Sequence, residues 1–197
     1  MTRNDINPKR NEDVEFQPSI GLLELNCVAR GIETADAVLW EADVSMVFAE
    51  PVQPGKYLML FTGSVQSVTS GLRRGVEVSA DSLVDSLLIE QAHEQLTFGL
   101  WREGRLNGTL DALGVIQTST VASAVLAADA ALKTATVDLL ELRIANGMGG
   151  KSYFTLTGEV SDVRSSITSG ARVASERGQL MRDVVIARPH ADLVRHL

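Results

Sequence analysis

Cysteine is almost missing from this chain: Cys27 is the single thiol. That excludes an internal disulfide framework and suits a reducing cytosol. Long apolar runs are missing as well. YLMLF at 57–61 is among the longest, far below the roughly 20 residues a membrane-spanning helix needs, so no membrane partner is expected. The opening MTRNDINPKRNEDVEFQP lacks the apolar centre of a secretory leader, and the protein is expected to stay in the compartment where it is made, the cytoplasm. Nor is there an excess of positive charge. A formal net charge of −7 argues against nucleic acid, whose phosphates attract basic surfaces. What remains is an ordinary globular composition, 45% hydrophobic over 197 residues, enough for one large or two small domains. Residues 1–18 carry both signs of charge and few apolar groups and read as a flexible extension.

A further absence removes a tempting motif. GMGGKS, inside NGMGGKSYFTLTGEV at 146–160, looks like the end of a phosphate-binding loop. That loop needs a glycine five residues before Gly150, so that backbone N–H groups can wrap the phosphates. Ala145 stands there. The loop must also open a helix, whereas KSYFTLTG is a β-branched and aromatic run ending at a turn glycine.

What the chain does contain is an internal repeat. Writing 20–52 above 113–145 places Gly21 on Gly114, Val28-Ala29 on Val121-Ala122, and ADA at 35–37 on ADA at 128–130. Leu39, Ala42 and Val44 then meet Leu132, Ala135 and Val137. After a two-residue insertion Gly55-Lys56 meets Gly150-Lys151, TGxV at 62–65 meets TGxV at 157–160, and Gly75 meets Gly170. A further shift pairs His93 and Leu96 with His190 and Leu193. The apparent phosphate loop therefore has VQPGKYLMLFTGSV as its partner, in which the shared GK simply opens a strand.

Each half gives the same order of elements. GLLEL is a short strand, and a helix follows with Ile32, Ala35, Leu39 and Ala42 on one face, matched by Val125, Ala128, Leu132 and Ala135. Two strands come next, then a second helix with Val65, Val68, Leu72 and Val76 on one face, matched by Val160, Val163, Ile167 and Ala171. A last strand, SLLIE or DVVIA, closes each unit. The fold class is α+β: two tandem ferredoxin-like βαββαβ domains, each with both helices on one face of an antiparallel sheet. The expected domains are 19–96 and 111–197, joined by a linker at 97–110.

With these residues in place, the chain resembles the tandem-domain shell proteins of bacterial microcompartments, in their unpermuted class. GLLEL and LGVIQ at the domain starts, the ADA-containing helix, the GK strand ending in TGxV, and RPHADL at 188–193 carry the resemblance. It implies a homotrimer whose six domains form a pseudohexagonal tile with a central pore, set in a shell with other microcompartment shell proteins. Small metabolites would cross the pore. Carried over position by position, the pore region takes Gln53, Pro54 and Gly55 from the first half and Asn146, Gly147, Met148, Gly149 and Gly150 from the second. Neither loop core is charged, which implies selection by size and by hydrogen bonding, with Met148 able to narrow the opening. Tile edges in the family use a lysine of the first helix and the arginine of the final motif. Lys133 and Arg188 fill those places in the second half, whereas Trp40 and Gln91 stand in the first.

Other chemistry is thinly supported. Some relatives hold an iron–sulfur cluster at the pore, but Cys27 aligns with Thr120 at a strand-to-helix junction and reads as a small buried thiol. His93 and His190 are repeat partners and read as structural, and neither has a metal-ligand spacing partner. Glu24, matched by Gln117, is a candidate acid or base with no nucleophile placed beside it. Glu50 and Arg143 align and could put opposite charges near one pore mouth, though solvated faces are the simpler reading. No cofactor, metal or catalytic residue is expected. The competing readings are an enzyme with its site between the halves and a trimeric ferredoxin-like sensor of small molecules.

Overall fold

The computed structural model describes residues 11, 13–100 and 110–194. The first repeat runs β1 (Ser19–Leu25), α1 (Val28–Glu41), β2 (Val44–Val52), β3 (Lys56–Gly63), α2 (Val65–Ser79), a single 3-10 turn at Ala80–Ser82, and β4 (Leu83–Ile89). A short helix, α3 (Gln95–Leu100), follows. The second repeat runs β5 (Ala112–Thr118), α4 (Val121–Leu132), β6 (Asp138–Ile144), β7 (Ser152–Gly158), α5 (Val160–Glu176) and β8 (Leu180–Ala187), and ends in α6 (Ala191–Val194). The sheets have the orders β2-β3-β1-β4 and β6-β7-β5-β8, and the pairings of β1 and β5 with their neighbours are antiparallel. This is the expected βαββαβ order, twice.

The chain divides into two compact units. The first runs to residue 92 and takes in 120–122 and 144–151, and the second gathers 93–119, 123–143 and the chain from 152 on. In the first unit α1 and α2 lie side by side over β1 and β3. Strand alternation sends Leu23 and Leu25 toward those helices, where they meet Val38, Met59, Phe61 and Val68. Leu22 and Glu24 point to the other face, and both are buried. β1 is therefore buried along its whole length, Ser19 and Glu24 included, which is why its apolar residues do not alternate with exposed polar ones.

In the second repeat Val125, Ala128, Leu132, Val163 and Ile167 are buried as expected, whereas the helical faces of the first repeat differ in part from the expectation. On α1 the buried positions are Gly31, Thr34, Ala35 and Val38, with Ile32 and Leu39 exposed. On α2 they are Val68, Gly71, Gly75 and Ser79, with Val65 and Val76 exposed. The reason is close approach. A Cβ at Gly75 would lie 2.3 Å from Leu23 Cδ1 and 3.0 Å from Val38 Cγ2, and its repeat partner Gly170 would set one 2.7 Å from the Ala127 carbonyl oxygen. The faces that pack are marked by small residues, to which a hydrophobicity pattern gives little weight.

The expected linker at 97–110 overlaps α3, in which Leu100 is buried, and 101–109 lie outside the described residues. Of the expected N-terminal extension, 1–10 and 12 also lie outside them. Asn11 donates its N–H to the Val47 carbonyl at 2.9 Å, and Gln17 donates its N–H to Thr62 Oγ1 at 3.0 Å while accepting from that hydroxyl at 2.9 Å.

Candidate functional site

All eight residues expected at the pore fall in the first unit, which contains both loops. Two reciprocal hydrogen bonds join them: the Gln53 N–H donates to Asn146 Oδ1 at 3.0 Å, and the Gly147 N–H donates to Gln53 Oε1 at 3.3 Å. Gly55, Gly147, Gly149 and Gly150 all have positive φ, and Ala145 does too at 51°, a conformation that glycine adopts freely and other residues seldom do. A Cβ at Gly150 would lie 3.0 Å from Pro54 Cδ and 3.1 Å from Lys56 Nζ, so Gly150 is needed for close passage as well as for its turn. Gln53, Pro54, Gly55, Gly147 and Gly149 are exposed, and Asn146 and Met148 half-buried. The arrangement presents a polar, uncharged rim.

Beside the rim lies a feature the sequence reading left without a partner. Glu24 is fully buried, and its two carboxyl oxygens are separately engaged. Lys56 Nζ reaches Oε1 at 2.5 Å and also donates to the Gly150 carbonyl at 3.3 Å. Oε2 accepts the N–H of Val121, the first residue of α4, at 2.8 Å. The carboxyl thus satisfies a helix N-terminal donor that no neighbour in the helix can reach, and a negative charge there suits the helix dipole. Beside it the Thr120 hydroxyl donates to Asp85 Oδ2 at 2.6 Å, and Asp85 is the cross-strand neighbour of Glu24. Burial raises the Glu24 carboxyl above its usual 4.5, against the pull of Lys56 and of the Val121 N–H. The described contacts of this group tie β1, β3, β4 and the start of α4 together. Sequence reasoning missed Lys56 as the partner of Glu24 because the two are brought together by β1–β3 register. The only available signal was the unequal pair Glu24 and Gln117.

The remaining candidates are separate. Trp40 is 85% exposed on α1. Lys133 pairs with Asp129 one turn away at 2.6 Å, and Arg188 is exposed with φ 51°. Cys27, the N-cap of α1, is exposed, contrary to the buried thiol expected. His93 and His190 make the same turn: Nδ1 accepts the N–H of Gln95 at 3.3 Å in one and of Asp192 at 3.2 Å in the other. Glu50 and Arg143 each lie near a tyrosine. Burial, then Glu50, raises the Tyr57 hydroxyl. Burial, then Glu141, raises that of Tyr153, with Arg143 opposing. Among the described residues no group of His, Cys, Asp and Glu could hold a metal ion.

The BMC domain family matches residues 19–92 and 112–189. The chain is 35% identical over 181 residues to the bacterial microcompartment shell protein PduT of Citrobacter freundii, covering 91% of this chain and 97% of that one. It is 33% identical over 84 residues to the shell protein EutM of Escherichia coli, covering 43% of this chain and 84% of that one. Among solved structures, a microcompartment protein from Desulfitobacterium hafniense is 46% identical with a TM-score of 0.78, covering 90% of this chain and 98% of that one. The duplicated domain, the paired uncharged loops and the full-length likeness to a shell protein agree: the chain belongs to the BMC domain family, as a tandem-domain structural shell protein of a bacterial microcompartment and not an enzyme.

Proposed function

We propose that this shell protein is a homotrimer whose six domains form a pseudohexagonal tile, with 53–55 and 146–150 of each copy around a central pore for small metabolites. Two similar domains per chain and a threefold axis supply six near-equivalent edges while leaving alternate domains free to differ. The observation that supports the pore best is the pair of hydrogen bonds between Gln53, Asn146 and Gly147, which joins the two loops into one rim. Such a rim passes molecules by size and by hydrogen bonding to its backbone and amides. Trp40, Lys133 and Arg188 are assigned to the tile edges, where an exposed tryptophan buries apolar area against a neighbouring tile.

Two measurements test this. Light scattering on the purified protein is expected to give the mass of a trimer, and negative-stain images at higher concentration to show hexagonal tiles. A stable monomer or dimer that never tiles removes the architecture. In assembled shells, Met148→Glu is expected to slow passage of small anions several-fold while leaving neutral solutes of the same size less affected. Equal passage of both through variant and parent shells removes Met148 from the pore.

A further inference from the structure

α1 and α4 hold equivalent places in the two repeats, yet their outer faces differ. Ile32 is 57% and Leu39 49% exposed, whereas their repeat partners Val125 and Leu132 are 0% and 5% exposed. In the second unit the segment that follows β4 reaches α4. The His93 N–H donates to Asp129 Oδ1 on α4 at 2.9 Å. Gln95 then joins the edge of β6: Nε2 donates to the Val137 carbonyl at 3.1 Å and Oε1 accepts the Leu139 N–H at 2.7 Å. Leu96 and Leu100 are 0% and 2% exposed, and Gly99 passes so near that a Cβ there would be 2.2 Å from Leu139 Cδ2. The segment is an arm seated against α4 and β6.

The segment after β8 starts in the same way. His190 Nδ1 accepts from Asp192 as His93 Nδ1 accepts from Gln95. The Leu193 N–H donates to the His190 carbonyl at 2.9 Å, as the Leu96 N–H donates to that of His93 at 3.0 Å. Leu193 is nevertheless 42% exposed. One chain thus holds a second arm without a seat, and in α1 a second seat without an arm. Asp36 occupies the place of Asp129 in the repeated ADA and is exposed.

We propose that the C-terminal arm, α6, of one copy seats on α1 of a second copy. Leu193 covers Ile32 and Leu39, and the His190 backbone N–H is taken by the Asp36 carboxylate, as the His93 N–H is taken by Asp129 on α4 within one chain. Asp192 stands where Gln95 does, so it keeps an acceptor for the Met46 N–H and lacks the donor for the Val44 carbonyl. This contact rests on the homotrimer reading and gives it a direction. Each copy offers one arm and one seat, a heterologous pairing that closes after three copies around a threefold axis.

The test is cross-linking of the full chain carrying Cys27→Ser, Asp36→Cys and His190→Cys with a short bismaleimide, beside the two variants that lack one of the new thiols. The expected result is a denaturing-gel ladder that ends at trimer and needs both new thiols. Light scattering on the same sample separates the two ideas. A trimer without the ladder, or with only an internally linked monomer, overturns the arm assignment and leaves the trimer standing. The absence of any trimer overturns both. As a second measurement, Leu193→Asp is expected to weaken trimer association at least tenfold by removing a buried leucine from each joint, and an unchanged dissociation constant overturns the proposal.

Discussion

Lys56→Met is expected to lower the stability of the protein by about 3–5 kcal/mol at pH 7, with much of the loss regained as the solution is made acid. Glu24 is fully buried, and Lys56 supplies the positive charge beside it at 2.5 Å. Removing the ammonium leaves a carboxylate that, among the described residues, only the Val121 N–H still satisfies. The dependence on pH has a definite sign. Burial already holds the Glu24 carboxyl above 4.5 in the folded protein, so folding favours its protonated form. That contribution is fully present below pH 4.5 and is lost as pH rises through the folded-state value. Without Lys56 the folded-state value moves higher still, and the stability gained on acidification extends closer to neutrality. Urea midpoints at fixed protein concentration, taken from pH 5 to 8, are expected to diverge between parent and variant as pH rises. Glu24→Gln in the same chain is expected to restore most of the loss, since glutamine stands at the equivalent place in the second repeat as Gln117. Equal losses at pH 5 and pH 8, or no rescue by Glu24→Gln, contradict this account.

Gly170→Ala is the second large effect. Its Cβ would sit 2.7 Å from the carbonyl oxygen of Ala127, which is backbone on α4 and can yield only if the helix moves. Overpacking of this kind costs about 1–3 kcal/mol, against a helix-propensity gain of about 1 kcal/mol for replacing glycine. Its repeat partner provides the control. At Gly75 the nearest obstacle is the end of the Leu23 side chain, which can change rotamer. Thermal unfolding is expected to show a melting temperature several degrees lower for Gly170→Ala and a smaller change for Gly75→Ala. The reverse order would mean that the α4–α5 contact is softer than its geometry implies.

The duplication and the element order were legible because they rest on local signals repeated twice: turn glycines, the GK strand openings and two helical patterns per half. The faces of α1 and α2 were less so. Hydrophobic periodicity favours Leu39 and Val76, while the positions that pack are Gly31, Gly71 and Gly75, where the absence of a side chain permits contact. At the site, the loops could be placed by their order in the repeat, but not their bonding to each other. That depends on side-chain amides of Gln53 and Asn146, residues common in any loop. Glu24 stood out only as a mismatch with Gln117, because Lys56, Val121 and Thr120 come to it from strand register and from a distant helix start. Cys27 was misplaced because equivalent positions in the two repeats differ in burial: it is exposed before α1, whereas its repeat partner Thr120 before α4 is buried and bonded to Asp85.

The joint around Glu24 also has a timetable. Its donor at Val121 lies 97 residues further along the chain. At synthesis rates of about 5–20 residues per second, that separation amounts to roughly 5–20 s. Lys56, 32 residues on, is made within the first third or so of that interval; for the rest of it the acidic group of β1 lacks its second partner, and Asp85 waits 35 residues for Thr120. The first half can assemble its sheet early, yet it acquires its final polar contacts only when the second half has begun to emerge.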